Sequence, residues 1–163
     1  MSPLDPTLFR HVLGHHPTGV SIVTTLLADG SPAGMVVGSF TSVSLDPPLV
    51  GFFPARNSGS WARISTANRF CINVLGDNQQ ELCRRFASRI DNKFEGVSHA
   101  KSEFGLPVLD QSLAWIDCSL YALHDAGDHL FVLGQVDALG AGDSGTPLIF
   151  FRGGYGRYVP LGE

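Results

Sequence analysis

Residues 34–54 read GMVVGSFTSVSLDPPLVGFFP, and the fold prediction starts from this stretch. Large apolar side chains occupy both of its ends, at 35–37 and 49–53, as in half-buried β-strands. Between them stand Gly38 and a run of small hydroxyl residues around a single aromatic residue, Phe40. A strand that only filled a core would carry larger apolar side chains there. The stretch therefore predicts exposed backbone and short hydrogen-bond donors at one place on a sheet.

Strand signals continue on both sides of this stretch. Upstream, a β-branched run at 19–27 is followed by an Asp-Gly turn at 28–31, which predicts a hairpin with the strand that begins near residue 32. Within the stretch, the DPP segment at 46–48 interrupts the ladder before strand character resumes at Leu49. Four further strands are predicted at 69–75, 113–123, 130–139 and 147–151.

Three short helices are predicted from the residues at their ends. The first begins after Asp5, a candidate N-cap, and ends at Gly14. The second is capped by Ser58 or Ser60, and the third spans 77–88.

These elements add up to six or seven strands and two or three helices, without regular alternation of strand and helix. A parallel α/β sheet is therefore disfavoured, and we expect a mostly β fold, an antiparallel β-barrel with peripheral helices. At 163 residues the chain can bury most of its unfolded surface, so one domain over residues 1–163 is expected.

The composition excludes several classes of function. The net charge is −4 and no basic run exceeds two residues, which argues against a nucleic-acid partner. No stretch approaches the length of a membrane span, and the N-terminus lacks the features of a signal peptide. Only 16% of the residues are charged, which favours a second copy covering some apolar surface. Three cysteines without CxxC spacing predict reduced thiols in the cytoplasm and no metal site.

The candidate chemistry comes from small residues, cations and one histidine, since the P-loop, GxGxxG, GxSxG and HExxH motifs are absent. The small-residue run at 38–44 suits a flat polar ligand that packs against backbone, such as a flavin ring. A phosphate tail would need hydroxyls, amides and a cation. The NSGS segment at 57–60 offers the first two, and 84–94 carries four cations. His129 stands in a glycine-containing turn before a strand and is a separate candidate.

On these motifs the chain resembles the flavin reductase family, the short NAD(P)H:flavin oxidoreductases that supply reduced flavin to two-component monooxygenases. The resemblance extends from about Leu8 to Tyr158. It rests on the blocks FRHVLGHHPTGVSIVTT, SFTSVSLDPPLV, RFCINVL, GDHLFVLGQV and PLIFFRGGY. The SFTSVSLDPPLV and GDH blocks are specific in combination.

The resemblance implies a split-barrel homodimer that binds FMN or FAD near the subunit interface and takes NADH or NADPH as co-substrate. Matched position by position, it places the flavin beside Val36, Val37, Gly38, Ser39, Phe40, Thr41, Ser42, Asn57, Ser58, Ser60, Ala87, Lys93, Phe94 and Tyr155. It places His129 beside the nicotinamide, as the catalytic residue. Many relatives carry asparagine where this chain has Gly38, so only backbone contacts are expected at that position.

We therefore expect an enzyme that transfers hydride from a nicotinamide cofactor to a flavin, with a partner oxygenase receiving the reduced flavin. Two alternatives stay open. One is a flavin-binding electron-transfer protein without appreciable NAD(P)H oxidation, and the other is a non-catalytic barrel that binds a different small molecule. The residues are compatible with FMN and FAD, with NADH and NADPH, and with tight or transient flavin binding, and they leave the substrate of the oxygenase open.

Overall fold

The computed structural model describes residues 4–142 and 144–162, and β-strands form most of it. The helices are α1 (Pro6–Leu13), α2 (Gly59–Ile64) and α3 (Gln80–Ala87), with a 3₁₀ turn at Asp77–Gln79 before α3. The strands are β1 (Thr18–Gly19), β2 (Ser21–Leu26), β3 (Pro32–Val37), β4 (Thr41–Leu45), β5 (Pro48–Phe52), β6 (Arg69–Val74), β7 (His99–Lys101), β8 (Pro107–Leu109), β9 (Ala114–Ala126), β10 (His129–Ala141), β11 (Leu148–Phe151) and β12 (Gly154–Arg157).

Seven strands form one antiparallel sheet in the order β3-β2-β6-β9-β10-β5-β4. Its two edge strands, β3 and β4, are consecutive in the chain and separated only by residues 38–40. Four residue steps span at most about 14 Å, so the sheet must curl until its edges approach each other. The predicted mostly β, antiparallel barrel is confirmed. Smaller sheets, β1-β11-β12 and β7-β8, lie beside it.

Two apolar clusters pack on opposite faces of this sheet. Along β6, Phe70 and Ile72 belong to the first cluster, where Phe52 contacts Trp61 and Phe70 edge-to-face at 5.8 and 5.5 Å between ring centroids. The second cluster contains Phe86 of α3. The alternation of side chains along a strand explains how one sheet holds both clusters. The helices α2 and α3 are thereby fixed against different faces of the sheet.

The predicted helix ends and the first hairpin are confirmed. The Asp5 carboxylate accepts a hydrogen bond from the Thr7 amide at 2.9 Å, and Gly14 follows the last residue of α1. Ser58, rather than Ser60, caps α2. The β2–β3 turn uses Gly30 at φ +80°, a left-handed conformation that glycine adopts without strain.

The count of six or seven strands was too low, because the described residues contain twelve. The unforeseen strands are short or lack apolar alternation, and they are β1, β4, β7, β8 and β12. β4 carries mostly exposed side chains, TSVSL, and pairs with β5 across the turn at Asp46-Pro47. Among the described residues, no helix combines the length and the apolar character needed to cross a membrane.

One carboxylate lies inside the protein without a strong hydrogen-bond donor beside it. Asp117, in β9, is 0% exposed and faces Cys71 of β6 in the strand register. Neither of its oxygens has a hydrogen-bond partner among the described residues. Burial, followed by the nearby Asp117 carboxylate, raises the pKa of the Cys71 thiol. Because the neighbouring Cys71 thiol is only a weak donor, the buried Asp117 carboxylate is poorly compensated, and we expect it to reduce the stability of the fold.

We expect Asp117→Asn to raise the free energy of unfolding by about 1–2 kcal/mol at neutral pH, because a buried amide costs less than a buried carboxylate. Urea denaturation followed by tryptophan fluorescence measures the change. The exposed Glu103 provides the control, since Glu103→Gln should stay within about 0.5 kcal/mol of the parent protein. A loss of more than about 1 kcal/mol in Asp117→Asn would mean that the carboxylate makes a stabilising bond.

Candidate functional site

A groove of about 820 Å³ lies between α2, β3 and the end of α3. The segment before α2 and the segment after α3 form its two walls, and the last residues of β3 form part of its floor. Its lining consists of Met35, Val36, Asn57, Ser58, Gly59, Ser60, Arg63, Phe86, Ala87, Ser88, Arg89, Ile90, Asp91 and Lys93. Six of the residues predicted to contact the ligand therefore lie together here: Val36, Asn57, Ser58, Ser60, Ala87 and Lys93.

Lys93 joins the two walls of the groove. Its Nζ donates to the Ser60 Oγ at 3.1 Å and to the Phe86 carbonyl at 2.8 Å. Burial and the nearby Arg63 guanidinium lower the pKa of Lys93. The ammonium thus connects the first turn of α2 to the last turn of α3 and sets the width of the groove.

The groove is electropositive. Three cations, Arg63, Arg89 and Lys93, line it together with one carboxylate, Asp91. Ser58 adds a hydroxyl whose oxygen accepts a hydrogen bond from the Trp61 amide at 3.1 Å, which leaves its own proton free to donate. This set of donors suits an anionic group such as a phosphate.

The segment that follows β3 exposes backbone and small side chains. Val37 is buried, whereas Phe40 is partly buried and packs against the same interior cluster. Gly38 and Thr41 are exposed, and the Ser39 hydroxyl accepts a hydrogen bond from the Phe53 amide at 2.9 Å. Val37 thus presents only its backbone to a ligand, while the Phe40 side chain stays partly accessible.

Ser42 is also exposed and pairs with Val50 in the β4–β5 ladder. The Cβ atom of any larger residue at Gly38 would come within 3.2 Å of the Thr18 Oγ1, which is a tight contact. A small residue therefore fits position 38 for a packing reason that is independent of any ligand.

His129 is the first residue of β10 and lies beside residues 54–56, which lead into the groove. Its Nδ1 lies 2.7 Å from the Asp128 Oδ1, and the hydrogen bond to His129 lowers the pKa of Asp128. The Asp128 carbonyl accepts a hydrogen bond from the Arg56 amide at 3.0 Å, and Ala55 forms a β-bridge with His129. The backbone of His129 is thus anchored to residues 55 and 56, which precede Asn57, while its imidazole contacts Asp128.

Phe94 and Tyr155 support the groove from the second apolar cluster rather than lining it. Phe94 is buried and contacts Phe86 edge-to-face at 5.0 Å between ring centroids. The Tyr155 hydroxyl lies 3.3 Å from the Cys83 Sγ, within hydrogen-bonding distance. The Cys83 contact, and next burial, raise the pKa of Tyr155 to about 12.

The cations that line the groove, Arg63, Arg89 and Lys93, differ in part from those predicted from the sequence. Arg63 lies one helical turn after Ser60, an i, i+3 spacing that could have indicated a shared face. Arg84 and Arg85 were expected among the cations near a phosphate but line a separate groove. Arg85 donates instead to the Lys93 carbonyl at 2.7 Å and fixes the loop that carries the lysine.

The described residues contain no group of three or more His, Cys, Asp or Glu side chains arranged to hold a metal ion. The groove instead combines an electropositive end with a nearby run of exposed backbone and hydroxyls. A ligand with a flat polar ring and an anionic tail fits this combination. FMN and FAD both have that shape.

Comparisons with known proteins agree on one family. The family model described as "Flavin reductase like domain" matches residues 13–158. A flavin reductase from Pseudomonas putida is 49% identical over 160 residues, which cover 98% of this chain and 94% of the relative. A flavin-dependent monooxygenase reductase subunit, HsaB, from Rhodococcus jostii is 48% identical over 96% of this chain and 80% of its own. The structure of the Streptomyces globisporus NADH:FAD oxidoreductase SgcE6 with NAD and FAD fragments superposes with a TM-score of 0.91, at 30% identity over 100% of both chains.

The contact between Tyr155 and Cys83 predicts that the Tyr155 phenol ionises at a higher pH than a free tyrosine. Because the pKa of the folded protein is raised above the ordinary value near 10, the stability that this contact contributes is present below about pH 10 and is lost as the pH rises towards 12. Ultraviolet titration of the three tyrosines should include one phenol that ionises near pH 12, and Tyr155→Phe should remove it. Loss of a phenol that ionises near pH 10 in the variant would contradict the assignment.

Proposed function

The chain belongs to the flavin reductase family, and we propose that the groove between α2 and α3 is where it transfers hydride from NADH to a flavin. The protein is an NAD(P)H:flavin oxidoreductase with the split-barrel fold of that family. A bound flavin would supply the redox chemistry as the acceptor of the hydride. The chain itself has to bind the flavin, place the nicotinamide against it and limit the access of water.

The observation that carries the proposal is the electropositive groove beside an exposed, small-residue strand. Arg63, Arg89 and the Ser58 hydroxyl would hold the phosphate, while Lys93 keeps the two walls together. Each charge-assisted hydrogen bond to phosphate contributes about 1.5–3 kcal/mol. The backbone of residues 36–42 would receive the ring, whose polar edge needs amide and carbonyl partners rather than charges. These assignments apply equally to FMN and FAD.

His129 is proposed to position the nicotinamide. Hydride transfer needs no general acid, so the imidazole is more useful as a hydrogen-bond partner and packing surface than as a proton donor. The bond to Asp128 orients the ring through Nδ1, which leaves Nε2 available for the carboxamide. Loss of His129 should therefore weaken NADH use more than flavin binding.

We propose that the protein supplies a partner monooxygenase with reduced flavin, since a relative carries the name of a flavin-dependent monooxygenase reductase subunit. We further propose a location in the cytoplasm, because Cys71, Cys83 and Cys118 are all free and buried. Residues 1–163 are proposed to form one domain.

A homodimer is proposed because α1 is incompletely packed. Leu8, Phe9, Val12 and Leu13 are all about half exposed, and no residue of this eight-residue helix is buried. A helix of this length is marginal in water without tertiary contacts. A second copy of the chain that covers this apolar face would supply those contacts.

Purified protein is expected to oxidise NADH at a rate that saturates with added FMN or FAD. The loss of NADH absorbance measures this rate. Riboflavin lacks the phosphate and should bind about ten- to a hundredfold more weakly, because the cations that line the groove then have no anionic partner. Repeating the assay with NADPH ranks the two nicotinamides. Tight flavin binding without NADH or NADPH oxidation would indicate an electron-transfer protein instead.

Light scattering is expected to give twice the mass of one chain. Val12→Asp places a charge on the apolar face of α1 and should shift the protein to monomer, because burying an unpaired charge is costly. Leu161→Asp, which alters an almost fully exposed residue of the C-terminal segment, is the matched control and should remain dimeric. A monomeric parent protein would contradict the proposal.

A further inference from the structure

The β9–β10 turn, which precedes His129, is bonded to residues 54–56, the segment that enters the groove. The Arg56 amide donates to the Asp128 carbonyl at 3.0 Å, and the Leu130 amide donates to the Pro54 carbonyl at 3.0 Å. Together with the β-bridge between Ala55 and His129, these bonds place two parts of the proposed site in one register. Since Asn57 follows directly, a shift of this turn would change the distance between the two binding regions.

The Arg56 side chain reinforces the same junction. Its Nε donates to the Gly127 carbonyl at 2.9 Å, and its Nη2 lies 2.6 Å from the Asp125 Oδ1. One guanidinium therefore holds both the end of β9 and the tip of the β9–β10 turn, where Gly127 adopts φ +66°. The planar guanidinium of arginine can make both bonds at once, whereas the ammonium of lysine cannot reproduce that geometry.

The exposure of this pair argues against a role limited to stability. The Arg56 and Asp125 side chains are 43% and 86% exposed, and ion pairs this open to water contribute little to folding. Bonds that add little stability still fix the position of the turn, and hydride transfer is sensitive to small displacements of its two rings. The junction is also separate from the groove lining, in which Arg56 takes no part.

We propose that Arg56 is a positioning residue, which acts through His129 to hold the nicotinamide in register with the flavin. The inference rests on the proposed role of His129. Arg56 touches neither ring. It sets where the imidazole stands relative to the segment that begins at Asn57.

Steady-state kinetics with matched variants test the proposal. Arg56→Ala should raise the KM for NADH about tenfold while the flavin Kd changes less than about twofold. Asp125→Asn keeps the bond from Arg56 to Gly127 and should raise the KM only about two- to threefold. The control is Arg69→Ala, which breaks a comparable ion pair with Asp137 at 2.9 Å elsewhere on the sheet and should leave the KM unchanged.

Amide hydrogen exchange gives a readout without flavin or NADH. In Arg56→Ala, the Leu130 amide should exchange at least about tenfold faster, because the junction opens more often. The rate should stay at the parent value in Arg69→Ala. Unchanged exchange and an unchanged KM in Arg56→Ala would overturn the inference and leave the reductase activity intact.

A double-mutant cycle with His129→Ala separates the possible failures. If Arg56 acts through His129, Arg56→Ala should cause no further loss in the His129→Ala background. If the two substitutions raise the KM for NADH by factors that multiply in the double variant, Arg56 acts on NADH independently of His129, and the inference is overturned. If His129→Ala itself leaves the KM and kcat unchanged, the proposed role of His129 fails and this inference fails with it, while turnover of the parent protein still identifies a reductase.

Discussion

The pairing of β9 with β10 is the contact on which the architecture depends. Twelve residue pairs join the two strands, from His129–Ala126 at the turn to Ala141–Ala114 at the far end. β6 adds to the outer edge of β9, and β5 adds to the outer edge of β10, so each half of the barrel is built on one member of this pair. The register is interrupted near Leu133 and again between Val136 and Ala138, and such irregularities increase the local twist that closing the sheet requires. The same long hairpin projects its turn, and His129 with it, towards the segment that enters the groove.

The candidate site is assembled from pieces that are distant in sequence and linked by few polar contacts. Lys93 connects α2 to α3, and Arg56 connects the segment before α2 to the β9–β10 turn. The groove proposed to bind flavin and the histidine proposed to position the nicotinamide thus meet through residues 54–60, which belong to both junctions. This arrangement places binding groups on loops while the sheet supplies the rigidity, a division of roles that is common in enzymes.

Local signals in the sequence predicted local structure well. The N-cap at Asp5 and the turn at Gly30 depend on neighbouring residues alone, and both appear where expected. β4 was missed because its hydroxyl and apolar side chains are nearly all exposed, without a buried face, and its pairing with β5 is what makes it a strand. The spacing of Ser60 and Arg63 indicates a shared face of α2, but only the packing of α2 against β3 brings that face to the groove. Burial of Asp117 likewise depends on the elements that cover β9, whereas alternation along a strand indicates only which residues share a face.

The position of Trp61 has an optical consequence. This indole is buried against Phe52, in the helix whose first residues line the groove, and the chain has only one other tryptophan, Trp115. Tryptophan emission overlaps flavin absorption, so a flavin held in the groove would accept excitation energy from a donor only a few residues away. The barrel thereby carries a built-in, label-free reporter of cofactor occupancy. The binding and release of flavin could be followed on the protein itself, in the absence of NADH and NADPH, whose own absorption also overlaps tryptophan emission.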